Sequence, residues 1–389
     1  MKIIKCGKLV TPDGIQKNKY LFINGDKITS INSNITKNQE GNVLDLSDKT
    51  VGPGLIDMHC HGALNSDFAD GDIEGVSKAA MYHLQKGTTT VLATIGSCMP
   101  DEMLRAIKTA SELNKTIPNI YGVHFEGPYF NKNWYGCHLP EAIRVPQKSE
   151  WIKYDKYKDI IKMVTLAPEL PGTKEYFEFY KNSDIVFSIG HSNATYDEVM
   201  DAIDNGVTHS CHIFCAQPRA SRRNYVLEPA VFESTMMIDA LTTEIICDGI
   251  HVGPRLVEFI CKVKGTDKCA LVSDALRGVG CPPGNYAFGP KNGQLCKIIE
   301  NPRVGVNPDK AGSLASSAIV LSDGIGIYSE KTNLSLDEIW EMASSVPAKI
   351  LNISEKTGTI KKGLDADLLV MNTDLTVHSV YVRGEKVGK

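Results

Sequence analysis

Between residues 53 and 273 the sequence alternates between short apolar runs and segments of helical periodicity. The apolar runs fall at 53–58, 89–95, 120–125, 162–166, 185–190, 208–213, 244–248 and 269–273, and each has the length of a strand. Stretches such as IEGVSKAAMYHLQKG, DEMLRAIKTASELNK, TYDEVMDAIDNG and PRLVEFICKVKG lie between them, with apolar residues three and four apart. Gly87, Gly206 and Gly265 stand where a helix hands over to the next strand, a place that favours a left-handed residue. Parallel strands need a long crossover between them, and a helix is the usual one. Eight βα units over about 250 residues predict an α/β chain folded as a (β/α)8 TIM-type barrel.

The flanks have a different texture. IIKCGKLV, KYLFING and DKITSI, with PDG and NGD as turn signals, read as short strands, and so do GTI, DADLLVMN, VHSVYVRG and EKVG near the other end. The two β-rich ends predict one small β-sandwich domain, residues 1–52 with 358–389, around a barrel at 53–357. Hydrophobic residues make up 42% of the 389, enough for a large core, and the net charge is −4 with no dense Lys/Arg run. That argues against nucleic acid and anionic membranes as partners. MKIIKCGKLV has no long apolar segment and no stretch reaches the ~18 apolar residues of a spanning helix, so a cytoplasmic protein is expected. The 11 cysteines include no C-x-x-C pair and read as reduced, mostly buried thiols.

Placed on these strands, the histidines and acids converge. His59 and His61 follow strand one in PGLIDMHCHG; residues two apart share a face, so both point one way and Cys60 the other. Glu126 ends strand three, His191 strand five, His212 strand six, His251 follows strand seven and Asp274 ends strand eight. In a barrel these positions form one rim, where catalytic groups sit. Imidazole and carboxylate suit zinc or another borderline divalent ion. A glutamate among the imidazoles can bridge two ions, and an aspartate beside activated water can carry its proton. A histidine at a strand end, taken alone, reads more readily as a satisfied polar group than as a ligand; the set in barrel order does not. His83, His138, His209 and His378 fall outside this placement, His209 reads as core, and His124 shares a strand face with Glu126 and is expected inside the barrel.

The same residues resemble the N-acetylglucosamine-6-phosphate deacetylase family of the amidohydrolase superfamily. The likeness spans essentially the whole chain, through PGLIDMHCHG, GVHFEGPYF, GHSNATYDE, CDGIHVGP, LVSDA, AGSLASSA, VPAKILNI and GTIKKGLDADLLVMN. It implies a metal-dependent hydrolase that converts N-acetylglucosamine-6-phosphate to glucosamine-6-phosphate and acetate. One or two ions are expected: Glu126, His191 and His212 hold one on this reading, and His59 with His61 put the chain among the members able to hold a second. The ion is zinc first, with iron, manganese, cobalt or nickel as alternatives. The resemblance further implies attack by metal-bound hydroxide, with Asp274 as general base and then acid, and His251 on the substrate carbonyl. Substrate contacts are expected at His138, Cys215, Ala216, Arg222, Arg223 and His251. His138 and Arg144, in GCHLPEAIR, match a segment that can reach a neighbouring subunit's site, which implies a homodimer.

Two departures bear on the substrate. Cys215-Ala216 stands where the family usually has Asn-Ala. Leu227, in VLEPA, takes the place of the family's phosphate-gripping arginine, and Ala230 that of a glycine. Leucine cannot replace a bidentate guanidinium–phosphate contact. Arg219, Arg222 and Arg223 are close enough in sequence to supply that charge, or else form a solvated basic loop. The alternative is therefore deacylation of an unphosphorylated or isomeric N-acyl amino sugar, or of another small amide. Amidohydrolases that bridge their metals with a carboxylated lysine are a poorer match, because Lys162 is at the start of strand four. A nucleoside deaminase also carries H-x-H but lacks the terminal β domain. A barrel that had lost its chemistry would have lost some of these ligands.

Overall fold

Eight parallel strands form the centre of the computed structural model, which describes residues 1–310 and 312–388. Ala311, which opens the AGSLASSA run, and Lys389, which closes the C-terminal β segment, lie outside the described residues. The strands are Leu55–Cys60, Thr88–Gly96, Ile120–Glu126, Ile161–Leu166, Val186–Ile189, Val207–Ser210, Thr242–Ile246 and Cys269–Val272. They lie side by side in chain order, each paired in parallel with the next. Strand seven begins two residues earlier than the apolar run predicts, because Thr242 and Thr243 extend it. The sheet closes on itself at the top: Asp274 N–H donates to the His59 carbonyl at 2.8 Å, and His61 and Gly62 N–H both donate to the Ala275 carbonyl.

Every residue of Thr88–Gly96 is buried, as a strand between barrel interior and helix layer requires. Helices cover the outside. Ile73–Gln85 packs Val76, Ala79 and Ala80 into one core with Val91, Ala93 and Ile95, its small residues letting the helix come close. Gly87 and Gly206 have φ of 101° and 99° at the helix-to-strand turns, which a side chain would resist. Thr195 caps Tyr196–Asp204 by accepting from the Glu198 N–H, directly behind the GHSNA loop that carries His191. Burying one of the core's Ile, Val or Leu side chains contributes about 1.5–3 kcal/mol, so a cavity such as Ile107→Ala costs about 2–5 kcal/mol.

Both ends of the chain meet in one seven-stranded sheet. Its order is Glu385–Lys386, Val377–Val382, Leu368–Met371, Val43–Pro53, Lys2–Thr11, Gly14–Asn24, Lys27–Asn32. The expected terminal β domain is thus a single continuous sheet around Ile4, Leu9, Leu21, Ile23, Val51, Leu368 and Val370. Trp340 fastens it to the barrel layer. Its indole N–H donates to the Pro53 carbonyl at 2.9 Å, and a Cβ on Gly52 would lie 2.3 Å from the ring. Two additions follow barrel strands: a hairpin, Ser221–Arg223 with Val226–Glu228, and a three-stranded sheet, Gly284–Ala287, Leu295–Glu300 and Arg303–Val306. Among the described residues no helix is long and apolar enough to cross a membrane.

Candidate metal centre at the barrel mouth

Strand alternation does what the H-x-H spacing predicts. His59 and His61 enter the site and Cys60 points outward, its Sγ 3.2 Å from His83 Nε2 on the first helix. Glu126 is the last residue of strand three, while His191, His212 and Asp274 each stand two residues beyond their strands. His191 and Asp274 both have left-handed φ, 50° and 48°, a conformation that costs a non-glycine residue roughly 1–3 kcal/mol and often marks a functional site.

The four imidazoles converge on the Glu126 carboxylate, with Asp274 beside His59 and His61. His191 Nε2 and His212 Nε2 lie 3.1 and 3.0 Å from Glu126 Oε1, and 3.2 Å from each other. His59 Nε2 is 3.4 Å from Oε1 and His61 Nε2 is 3.2 Å from Oε2. Asp274 Oδ1 is 3.6 Å from His59 Nε2 and 3.3 Å from His61 Nε2. All are buried, the most exposed being Asp274 at 6%. The structure thus brings the predicted ligand set and Asp274 into one cluster.

The partners of the ring nitrogens say what the cluster suits. His59 Nδ1 stands 3.0 Å from Glu244 Oε2, and His191 Nδ1 is 2.8 Å from the Trp134 carbonyl. An oxygen acceptor on Nδ1 makes that nitrogen the donor, so in the neutral ring Nε2 holds a lone pair. A lone pair facing a carboxylate is repelled unless positive charge lies between, as a shared proton or as a cation. Burial opposes protonation of His59 and His61, but the carboxylates beside them outweigh it and hold His59 well above its ordinary value and His61 at about 9. His59 Nε2, His61 Nε2 and Glu126 Oε2 are buried without a hydrogen-bond partner. Tetrahedral zinc with bonds of about 2.0–2.2 Å sets its ligand atoms about 3.3–3.6 Å apart. The contacts here, 3.0 to 3.6 Å, are close to that spacing. The donor set therefore fits a divalent cation, and Glu126 belongs to two overlapping groups of potential ligands, one with His59 and His212 and one with His191.

Charge follows the same logic. Burial works against the Glu126 carboxylate, but His138, His59 and His191 outweigh it and hold Glu126 well below the usual range. Burial also opposes ionisation of Asp274, and His59 and His61 again prevail. Asp274 therefore sits as a carboxylate, with the Ser316 hydroxyl 3.2 Å from its Oδ1.

Three residues of this arrangement were not picked out from sequence. Glu244, in the middle of an apolar strand, binds His59 Nδ1 and also accepts from the His212 N–H at 3.2 Å; a lone acid in TTEIICD is its sequence signal. Asp248 accepts from the Ile250 and His251 N–H groups and stands 2.6 Å from His251 Nδ1, so it fixes the imidazole of His251. Ser316 comes from the AGSLASSA run.

The other expected residues divide. His138 lies inside this chain's own cluster, with Nε2 3.1 Å from Glu126 Oε2, rather than reaching outward. Arg144 turns away, its guanidinium on Glu150 at 2.7 Å. Cys215 and Ala216 lie just past His212, Ala216 with φ of 47°. Burial pushes the Cys215 thiol up to about 12. Arg222 and Arg223 are on the hairpin, where Arg222 donates to the Tyr225 carbonyl and pairs in register with Leu227. Leu227 is 61% exposed and does not face the cluster. His124 is inside the barrel as expected, its Nε2 2.8 Å from Thr165 Oγ1, and His209 is core, its Nδ1 2.7 Å from Thr242 Oγ1.

Known proteins give the same outline. The amidohydrolase family model matches residues 50–387. The N-acetylglucosamine-6-phosphate deacetylase of Lysinibacillus sphaericus is 30% identical over 98% of this chain and 96% of its own. An N-acetylgalactosamine-6-phosphate deacetylase from Shewanella sp. is 28% identical over 87% of this chain and 84% of its own. A variant of the Mycobacterium smegmatis N-acetyl-D-glucosamine-6-phosphate deacetylase, solved with N-acetyl-D-glucosamine-6-phosphate, superposes with a TM-score of 0.90. It is 26% identical and is matched over 100% of this chain and 99% of its own.

Proposed function

We propose, from the premise that the chain belongs to the amidohydrolase family, that it hydrolyses the acetamide of N-acetylglucosamine-6-phosphate to acetate and glucosamine-6-phosphate. The carrying observation is the cluster itself: one carboxylate, Glu126, faced by the Nε2 atoms of four imidazoles, with ionised Asp274 beside them. Glu126, His191 and His212 would hold one divalent ion, and His59 and His61, beside Asp274 and Glu126, a second. Zinc suits this nitrogen-rich set best. A divalent cation there supplies Lewis acidity toward the carbonyl oxygen and acidifies water.

The chain's own residues do the rest. Asp274 Oδ1 takes a proton as water adds to the carbonyl carbon and returns it to nitrogen as the C–N bond breaks. Ser316 keeps that carboxylate in place. Asp248 holds His251 by Nδ1, which leaves Nε2 to meet the substrate. The helix Pro254–Lys264 carries Leu256, Phe259 and Val263 on one exposed stripe, which supports a homodimer in which a second copy covers that stripe.

A second reading, an isomeric or unphosphorylated N-acyl amino sugar, is favoured by one observation. Leu227 replaces a phosphate-binding arginine and faces solvent. Kinetics of the zinc-loaded enzyme decide between them. N-acetylglucosamine-6-phosphate is compared with N-acetylglucosamine and with N-acetylgalactosamine-6-phosphate. A kcat/KM at least tenfold higher for the first supports the main reading. Equal rates with and without phosphate, or preference for the galacto isomer, replace it with the second.

A further inference from the structure

Three residues past Asp274, the loop after strand eight carries a buried arginine. The Arg277 guanidinium grips the Asp70 carboxylate with two bonds, Nη2 to Oδ1 at 2.8 Å and Nη1 to Oδ2 at 3.1 Å, and both side chains are buried. The same guanidinium donates from Nε to the Ala287 carbonyl at 2.8 Å and from Nη2 to the Gly289 carbonyl. Those two carbonyls flank Phe288, whose own N–H donates to the Gln294 carbonyl at 2.8 Å. A planar fork held by a buried carboxylate is a stiff support. What it holds still is the Phe288 ring. The ring is buried, its centroid is 4.6 Å from that of His61, and it shares an apolar cluster with Cys296 and Ala315. It also lies over the end of strand two, where a Cβ on Gly96 would stand 3.5 Å from it.

The carbon under attack carries an oxygen, a nitrogen and an acyl chain. The nitrogen leads to the sugar, whose hydroxyls need polar partners. His251 and the hairpin with Arg222 and Arg223 follow strands seven and six. In a closed barrel of eight strands, strand six faces strand two across the mouth. Phe288 lies on the strand-two side, beside His61 and so next to Asp274 Oδ1, 3.3 Å from His61 Nε2. An apolar ring there suits the substituent that needs no hydrogen bond. We infer that Phe288 is the wall of the acyl subsite and limits the chain to acetyl, with Arg277 and Asp70 as the positioning residues that keep the wall from yielding. A well-packed wall that cannot shift rejects added methylenes. The inference deepens the deacetylase reading and rests on it for the part of the test that uses the amino sugar.

The test is an acyl series on the zinc-loaded enzyme: the N-acetyl, N-propionyl and N-butyryl derivatives of glucosamine-6-phosphate. One methylene more or less in an apolar pocket changes kcat/KM by about 10–200-fold, so the wild type is expected to lose about tenfold or more at each added methylene. Phe288→Ala is expected to narrow the acetyl-to-propionyl ratio by about tenfold or more, with zinc content unchanged. The double variant Arg277→Met with Asp70→Asn removes both partners of the ion pair together and is expected to narrow the same ratio by a smaller factor. An equal loss on all three acyl groups in Phe288→Ala would make the ring core packing and overturn the inference. A wild type that takes the three alike would do the same and needs no variant. Binding of acetate, propionate and butyrate to the zinc-loaded protein, followed by ligand-observed NMR, reads the wall without the sugar. It therefore decides the inference even where no glucosamine-6-phosphate derivative is turned over. The wild type is expected to prefer acetate and Phe288→Ala to lose that preference; the same preference in both refutes the assignment.

Discussion

Two sets of metal-competent side chains stand back to back on the first barrel strand. On the inner face His59 and His61 meet Glu126 and Asp274; on the other side Cys60 and His83 come within 4.8 Å of Asp57. Residue type does not separate them, since each has acid and imidazole and both are buried. Proton inventory does. His83 Nε2 must be a donor, because it faces the Gly62 carbonyl at 2.9 Å. Burial pushes Asp57 up to about 7 and the Cys60 thiol well above its ordinary value. Burial pushes His83 down to about 4. The outer set is thus a protonated thiol, an acid raised to near neutrality and a neutral imidazole, which is a core. The inner set is two carboxylates and the Nε2 atoms of four imidazoles, which is a place for positive charge.

The contrast is open to test, and the largest effect belongs to the inner face. Asp274→Asn is expected to keep fold and most of the metal while kcat falls by about 10³ or more, read by steady-state kinetics beside elemental analysis. Turnover near wild type would remove Asp274 from proton transfer. His191→Ala should lower the zinc content of purified protein, whereas Cys60→Ser should leave it unchanged; equal losses would erase the distinction between the two faces.

The outer face should show itself in acid stability. An unfolded imidazole takes up a proton as pH falls through about 6.5, while folded His83 does so only near 4. The unfolded state therefore binds more protons across that window, and stability is lost as pH falls through it. The total is on the order of 3 kcal/mol at the acid end. Denaturant melts between pH 7 and 4 should be flatter for His83→Gln than for wild type by that amount, and parallel curves would mean that His83 is not held neutral. Glu244→Gln should have the mildest consequence, a loss of about 10–100-fold in zinc affinity with the same stoichiometry. Unchanged affinity would show that His59 needs no partner on Nδ1.

The barrel was legible because its signals are local. A strand buried on both faces must be a short apolar run, and Gly87, Gly206 and Gly265 mark the turns between units. The five metal-competent groups and Asp274 were legible for a related reason: strand alternation and strand ends fix where a side chain points. What was missed depends on contacts across the barrel. Glu244 meets His59 from 185 residues away, and nothing in TTEIICD announces that partner. The ring of His138 is held by a backbone N–H on another loop, at Ser97. The small sheet at 284–306 was missed because its strands are short, partly exposed and lacking strict alternation. Its neighbour Phe288 packs 4.6 Å from His61 and so forms part of the cover over the centre.

The terminal sheet has a consequence for how the chain is made. Lys2 bonds to the carbonyl of Gly384, 382 positions later, and Val43–Pro53 waits for Leu368–Met371 as its neighbour. During synthesis the first four strands and all eight staves of the barrel leave the ribosome before that neighbour exists. For this interval Val43–Pro53 is an open edge, the kind of surface on which nascent chains stick to one another. At about 5–20 residues per second the gap lasts tens of seconds. Arrival of Leu368–Met371, rather than assembly of the barrel, is then the moment at which that edge is covered.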